Sequence, residues 1–257
     1  MTRTAIRDVL RSRVGGFFAN TLLSAPDTCD VCTGPSRSDV CPPCREHRLA
    51  FGDGLADLVV PLAYIRARTT PRHQSEHHMY ADKGDPPVRR CAEDLALTIL
   101  GGTALHGRCI AGAAGGPWEA VTFVPSVRAT GSAHPVAQLA RQVVDNGFRA
   151  QPVGLDLGPS GPDARRSVLT DRFPVPGRWR DRVAGRHVLV VDDAWVSGAK
   201  AQSAALALAA ADARWVTVLC VGRWLRGDWP DHRELIAQLD SPYDASRCPV
   251  TGVDCPG

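Results

Sequence analysis

The chain has 257 residues, of which 44% are hydrophobic and 22% are charged. This balance is typical of a globular protein with a full core, and it excludes a disordered or fibrous chain. The formal net charge of +3 comes mostly from arginines spread along the chain, so composition gives no strong indication of a nucleic-acid-binding surface. Charged residues interrupt the N-terminal segment and no later run reaches membrane-spanning length. We therefore expect a cytoplasmic protein without a membrane-spanning segment.

The first predicted element is an amphipathic helix. Apolar residues recur at roughly helical spacing from Thr4 to about Leu23, with Gly15 and Gly16 weakening the middle. A segment rich in cysteine and proline follows to about Arg48. The run DLVVPLAYIR then predicts the first strand of a larger domain.

The next segment, RTTPRHQSEHHMYADKGDPP, has no apolar period and is predicted to be a long loop. The loop contains His73, His77 and His78, and we favour a solvated or mobile loop over a metal site for them. The loop could also act as a lid that closes over a ligand. A helix is expected from Val88 to Leu100.

The second half of the chain contains repeated strand and helix patterns. WEAVTFVPS predicts a buried strand, and HPVAQLARQVVDN predicts a helix ending near Gly147. One or two short strands are expected between Gly154 and Gly177. In the clearest unit, RHVLVV predicts a strand, AKAQSAALALAAADA a helix and RWVTVLCV a second strand. Such βαβ units build parallel sheets, so the predicted fold class is α/β.

The segment CDVCTGPSRSDVCPPC contains two CxxC pairs separated by eight residues. Each CxxC turn presents two thiolates to one ion, and two turns complete the tetrahedral site of structural zinc. We favour zinc over redox chemistry because neither pair adjoins a thioredoxin-like βαβ unit. The predicted ligands are Cys29, Cys32, Cys41 and Cys44.

Five further cysteines lie outside these pairs. Cys91, Cys109 and Cys220 fall in or near apolar segments and are predicted to fill the core. Cys248 and Cys255 could form half of a second site, but no further cysteine pair completes it, and they are left unassigned.

The segment VLVVDDAWVSGAK predicts a site for a phosphorylated sugar. Asp192 and Asp193 follow a buried strand, where carboxylates can accept hydrogen bonds from vicinal sugar hydroxyls. Small residues from Ser197 to Ala199 let backbone N–H groups surround a phosphate at a helix N-terminus. Lys200 would add a positive charge. An ordinary capped turn between strand and helix is the alternative.

This order of apolar strand, acidic pair and small-residue loop resembles the signature of the type I phosphoribosyltransferases. The resemblance implies that Asp192 and Asp193 hold the ribose hydroxyls of phosphoribosyl pyrophosphate, with Mg²⁺ bridging its pyrophosphate. It further implies that the loop from Val196 to Lys200, which includes Gly198, wraps the 5-phosphate. The residues that depart from the signature are Ala194, Trp195 and Lys200.

The strand VTFVPS resembles the family's strand before the pyrophosphate loop. The resemblance implies that Val124, Pro125, Ser126 and Arg128 contact the leaving group, and that Arg128 belongs to the catalytic set with the two aspartates. A cation there would stabilise the negative charge that builds on departing pyrophosphate. A solvated surface arginine is the alternative interpretation of Arg128.

A four-cysteine knuckle before a phosphoribosyltransferase-like domain resembles the layout of the ComF family, which is associated with DNA uptake in competent bacteria. HHMYADKGD resembles the lysine-glycine segment of that family. VTFVPSVRATGSAHPVAQLARQV resembles the family's proline-containing strand, turn and helix. TGSAHP stands in place of the family's arginine-glycine-phenylalanine-asparagine-glutamine turn. The resemblance implies an N-terminal helix and zinc knuckle over residues 1–50. It also implies a type I phosphoribosyltransferase-like parallel sheet flanked by helices over residues 51–257.

Two main functional hypotheses follow. The first is an enzyme that uses Mg²⁺ and phosphoribosyl pyrophosphate to transfer ribose-5-phosphate to an amine or a base. The second is a non-catalytic module that binds a nucleotide or single-stranded DNA, with the knuckle contacting a protein partner or a second copy in a homodimer. Trp224, Trp229 and Tyr243 could stack on a base or simply pack. A zinc-stabilised scaffold without a ligand ranks last.

Overall fold

Five strands form one parallel sheet in the order β1-β5-β4-β2-β3. The structure is a computed structural model, and it describes residues 2–23, 27–81, 83–84, 88–126, 134–145, 149–160 and 166–255. The strands are β1 (Leu58–Ala67), β2 (Ala120–Phe123), β3 (Gln151–Pro152), β4 (His187–Trp195) and β5 (Trp215–Arg226).

Helices cover both faces of this sheet. Among the described residues, no helix is both long and apolar enough to cross a membrane. The helices are α1 (Arg3–Val14), α2 (Pro42–Phe51), α3 (Gln74–Ala81), α4 (Arg89–Ala113), α5 (Pro135–Ala140), α6 (Arg180–Val183), α7 (Ala199–Ala209) and α8 (Pro230–Ile236).

The core is divided by the sheet into two layers. Side chains alternate along a strand, so Leu189 and Val191 of β4 join one layer while Val188 and Val190 join the other. The first layer contains buried residues of α1 and α4. The second contains the alanine-rich face of α7 together with the four cysteines of the CxxC pairs. The N-terminal segment therefore packs on the same core as the sheet.

The predicted fold class is confirmed, since an all-parallel sheet lies between helices, consistent with a type I phosphoribosyltransferase-like fold. The predicted first strand is β1, and the predicted βαβ unit is β4, α7 and β5. The strand β4 is longer than predicted: it continues through Asp192 and Asp193 to Trp195 because its pairing with β5 continues to Arg223. The acidic pair thus lies within the last residues of the strand rather than after it.

Two predicted helix ends were wrong. The first helix ends at Val14 rather than near Leu23. At this end the Gly15 N–H donates to two carbonyls of the last turn. The helix expected to end at Leu100 instead continues through α4 to Ala113, with Ile110 fully buried in its last turns. Burial of its far end stabilises these extra turns.

The predicted long loop contains the helix α3, so that prediction was wrong. The Arg66 N–H donates to Ser75 Oγ at 2.9 Å. Met79 is buried in the first core layer, and His78 is buried against Phe17 of that layer. This helix follows β1 and brings the next residues of the chain to the sheet edge.

The helix predicted to end near Gly147 is also shorter, since α5 ends at Ala140 and Gly147 lies outside the described residues. Between Gly154 and Gly177 the described residues contain no strand. The short strand β3 instead precedes this segment and pairs with β2.

Candidate functional site

The acidic pair lies at the carboxyl end of β4, near the middle of the sheet. Asp193 is buried and Asp192 is partly buried. Each carboxylate accepts a hydrogen bond from the next backbone N–H: Asp192 Oδ1 from Asp193 at 2.9 Å, and Asp193 Oδ1 from Ala194 at 2.7 Å. These bonds fix both carboxylates at the edge where parallel sheets bind ligands.

Lys83 is brought to this pair from the segment after α3. Its ammonium forms an ion pair with the Asp193 carboxylate. Burial raises the pKa of Asp192 well above its ordinary value, and the neighbouring charge of Asp193 adds to the effect. Burial also acts to raise the pKa of Asp193, but the Lys83 ammonium outweighs it and that pKa is lowered. The site therefore holds one negative charge firmly and resists a second.

The loop predicted to hold a phosphate runs from Val196 to Lys200 and enters α7. Gly198 has φ +78°, a left-handed conformation that favours glycine. A Cβ there would also collide with the Trp195 indole, which is buried directly beneath it. The unusual tryptophan is thus accommodated by the glycine, and the two together set the path of the loop.

Beyond Gly198, the first N–H groups of α7 lie at a helix N-terminus, where backbone donors lack acceptors within the helix. The Ala199 N–H lies 3.4 Å from Ser197 Oγ. Val196 and Lys200 are exposed, so the lysine can approach an anion placed over the loop. The loop has the features of an anion-binding turn.

The buried Arg223 of β5 holds the start of this loop. Its Nη1 donates to the backbone carbonyls of Trp195 at 2.9 Å and Val196 at 2.8 Å, and also to that of Trp224 at 2.9 Å. Burial alone would lower the pKa of Arg223, but the neighbouring cysteine thiolates, Cys32 foremost, raise it. Sequence reasoning missed this residue, although an arginine inside an apolar strand was the available signal.

The four cysteines of the CxxC pairs form a buried cluster, which we call the knuckle site. Their four Sγ atoms all lie within 4.8 Å of one another. The Sγ atoms of Cys32 and Cys41 are 3.8 Å apart, and the Cys41 N–H donates to Cys29 Sγ at 3.3 Å. Thiolates on one tetrahedral zinc ion lie about 3.8 Å apart. The cluster therefore has the composition and spacing to hold a metal ion such as zinc.

The residues predicted to contact the leaving group follow β2. Together with the acidic pair and the loop from Val196 to Lys200, we call them the cradle. The Val124 N–H donates to the Val191 carbonyl at 3.1 Å, so Val124, Pro125 and Ser126 begin beside the end of β4. Arg128 and residues 130–133 of the altered turn lie outside the described residues. The structure thus brings three of the four residues predicted for the leaving group to the edge that carries the acidic pair.

His134, at the end of the altered turn, faces the same site. Its Nδ1 accepts the Val136 N–H at 3.1 Å and caps α5, and its ring lies 5.3 Å from that of Phe123. Burial lowers its pKa, while the charges of Asp193, Lys83 and Lys200 also act on it. Sequence reasoning did not single out this histidine.

The histidines of the predicted loop do not form a metal site among the described residues. His78 is buried in α3, where its Nε2 lies 3.2 Å from Asp94 Oδ2 and its ring stacks on Phe17. The interpretation as a solvated loop was therefore wrong for His78, because Asp94 and Phe17 hold it inside.

The three aromatic residues proposed for stacking lie in different environments. Tyr243 is buried in the first core layer, which supports packing. Trp224 meets Tyr80 edge-on with ring centroids 5.7 Å apart. Trp229 is 44% exposed and lies against the Arg226 guanidinium at 4.5 Å. These contacts do not form one stacking platform.

Two of the three cysteines predicted to fill the core do so. Cys91 and Cys220 are buried. The prediction was wrong for Cys109, which is only partly buried and lies 3.0 Å, Sγ to Sγ, from Cys255. The helix α4 presents it to the C-terminal tail rather than to the core.

Replacing Arg223 tests whether it holds the loop. Arg223→Met keeps most of the aliphatic stem but removes the guanidinium, which leaves the carbonyls of Trp195 and Val196 without their donor. We expect the free energy of unfolding, measured by urea denaturation, to fall by about 3 kcal/mol.

Arg226→Met on the same strand is the matched control, since its ion pair with Asp228 lies at the surface and its loss should change stability little. Equal unfolding midpoints for the two variants would show that Arg223 does not anchor the loop.

Neither a scan against protein-family models nor a search of curated proteins finds a match to this chain. The functional conclusion therefore depends on the chemistry of the described residues. These are an acidic pair at a strand end, a left-handed turn into a helix N-terminus, a lysine paired with the acidic residues, and a buried thiol cluster beneath.

Proposed function

We propose that the chain binds phosphoribosyl pyrophosphate and transfers its ribose-5-phosphate to an amine or a base. One observation carries the proposal. The acidic pair at the end of β4 is followed, within one turn of chain, by Gly198 in the left-handed conformation and by the N-terminus of α7. An acceptor for sugar hydroxyls and a donor set for a phosphate thus lie side by side.

At the ribose end, Asp192 and Asp193 would accept hydrogen bonds from the two vicinal hydroxyls. The bond to Asp193, whose carboxylate Lys83 keeps ionised, is charge-assisted and stronger than one between neutral partners. The backbone N–H donors that hold each carboxylate already fix their orientation, so little side-chain freedom is lost on binding. This arrangement favours a sugar with adjacent hydroxyls over an isolated phosphate.

At the phosphate end, the N–H groups from Gly198 into the first turn of α7 would donate to the 5-phosphate, with Lys200 adding charge. Donors and dipole both favour an anion there. The Arg223 bonds to the preceding carbonyls keep the loop in shape before the ligand arrives. Preorganisation of this kind lowers the cost of binding.

At the pyrophosphate end, Lys83 and the backbone after β2 from Val124 to Ser126 are the groups available among the described residues. Transfer breaks the bond between ribose C1 and pyrophosphate, forms a bond from C1 to the acceptor nitrogen, and releases one proton from that nitrogen to solvent. Bound Mg²⁺ would neutralise charge on the pyrophosphate oxygens. The carboxylates of the acidic pair are oxygen donors of the kind that magnesium prefers. Lys83 would place its charge beside the leaving group.

We also propose that the knuckle site holds a structural zinc ion. Four buried thiols with tetrahedral spacing and no carboxylate among them suit zinc. Thiolates bound to the ion would keep a net negative charge beside Arg223, and the buried guanidinium would offset it. The metal would thus stabilise the side of the molecule on which the phosphate loop is built.

The double variant Asp192→Asn plus Asp193→Asn tests the ribose end. The amides keep the size of the side chains but remove the negative charge that the pair holds. We expect calorimetric binding of phosphoribosyl pyrophosphate with Mg²⁺ to weaken at least about tenfold, since each such bond contributes roughly 1.5–3 kcal/mol.

Asp212→Asn is the matched control, because Asp212 follows the far end of α7 and asparagine tolerates its positive φ. The control should bind like the wild type. An unchanged affinity in the double variant would overturn the assignment of the acidic pair.

The zinc proposal is tested by the metal content of protein purified under reducing conditions without chelator. Cys32→Ser plus Cys41→Ser should lower the zinc content by about one equivalent per chain, because two remaining thiolates cannot hold the ion tightly. Cys220→Ala removes a buried thiol outside the cluster and should leave the content unchanged. A loss of less than half an equivalent in the double variant, relative to wild type, would contradict the proposal.

A further inference from the structure

A second group of three side chains that can bind a metal lies where the C-terminal tail crosses α4, and a fourth, Cys109, contacts one of them. His106 and Cys109 are three residues apart on α4 and therefore share one face of the helix. Ligand atoms of His106, Cys248 and Cys255 lie within 4.8 Å of one another. Cys255 Sγ is 3.1 Å from His106 Nδ1 and 3.0 Å from Cys109 Sγ. We call this set the tail cluster.

The backbone of the tail has the same turn as the first CxxC pair. The Cys248 N–H donates to the Val253 carbonyl at 2.9 Å, as the Cys29 N–H donates to that of Gly34 at 2.8 Å. The Gly252 N–H returns to the Cys248 carbonyl at 2.9 Å. The corresponding bond in the first turn joins Thr33 to Cys29 at 2.8 Å.

The agreement extends to the ends of the two turns. A single antiparallel bridge closes each turn, between Arg247 and Asp254 in the tail and between Thr28 and Pro35 in the first turn. Gly252 and Thr33 both have positive φ, at 74° and 54°. The tail thus forms a knuckle of the kind that presents a thiolate to a metal ion, although the sequence has no second CxxC there.

The two turns differ at one ligand position. Since Gly252 corresponds to Thr33, Thr251 stands where the first turn has Cys32. The tail knuckle therefore supplies one thiolate, from Cys248, which is buried. The thiolate that Thr251 lacks is made up by Cys255 and by the two α4 side chains, which gives three cysteines and one histidine.

The histidine is oriented as a metal ligand would be. His106 is buried, and its Nε2 lies 3.0 Å from the Ala245 carbonyl. That carbonyl can only accept, so the ring proton is on Nε2 and the Nδ1 lone pair faces Cys255 Sγ. Metal-binding histidines usually donate their second N–H to such an acceptor. A cysteine pair destined for a disulfide would need no histidine in this tautomer.

We infer that His106, Cys109, Cys248 and Cys255 form a second structural zinc site, which fastens the C-terminal tail to α4. Three cysteines and one histidine are a known ligand set for closed tetrahedral zinc. The tail also contributes Tyr243 and Ala245 to the first core layer, whereas the knuckle site belongs to the second layer. The two sites would thus fix opposite faces of the sheet. This inference does not depend on the proposed function.

The test is the zinc content of the full chain, purified under reducing conditions without chelator and measured by elemental analysis. Wild type should contain about two equivalents, and both Cys248→Ser and His106→Gln should contain about one. Cys91→Ser changes a buried thiol on the same helix outside either cluster and should keep about two.

Cobalt substitution keeps the test valid if a variant folds poorly. Wild-type protein reconstituted with Co²⁺ should show a thiolate-to-metal absorption band. In the Cys32→Ser variant this band should be weaker but still present, because the tail cluster remains. The inference is overturned if Cys248→Ser and His106→Gln retain all the zinc of the wild type. It is equally overturned if peptide mapping of protein purified under reducing conditions finds a disulfide bond between Cys109 and Cys255.

Discussion

The buried guanidinium of Arg223 joins the loop before α7 to the knuckle site. On one side it donates to the carbonyls of Trp195 and Val196, at the start of the loop that leads into α7. On the other it lies so close to the knuckle that a Cβ at Gly34 would meet its Nη2. A buried charge is costly unless it is paired, so each side depends on the other for its stability.

The same constraint explains how the cradle is built. Because β4 stays paired to β5 as far as Arg223, the acidic pair is held in the sheet and only the next few residues turn freely. The buried Trp195 then requires glycine at position 198, where the chain turns into α7. Lys83 arrives from a distant segment and balances one carboxylate. The strand β4 and the helix α7 thus position the acidic pair and the first N–H groups of the loop.

The sequence was informative where a local pattern determines structure. Short β-branched runs predicted β1, β4 and β5, and CxxC spacing predicted the knuckle site. It could not reveal contacts between distant segments: α3 is stabilised by buried tertiary contacts, and Arg223 acts on a neighbouring strand. Cys248 and Cys255 remained unassigned because their partners, His106 and Cys109, lie on a helix far earlier in the chain. Only the fold brings these side chains together.

The most direct test of the ribose-phosphate site is a crystal structure of the protein soaked with phosphoribosyl pyrophosphate and Mg²⁺. The account predicts the 5-phosphate over the backbone N–H groups at the start of α7, with the ribose hydroxyls on Asp192 and Asp193. Clear ligand density at another edge of the sheet, or a bound ribose whose hydroxyls face away from both carboxylates, would contradict it.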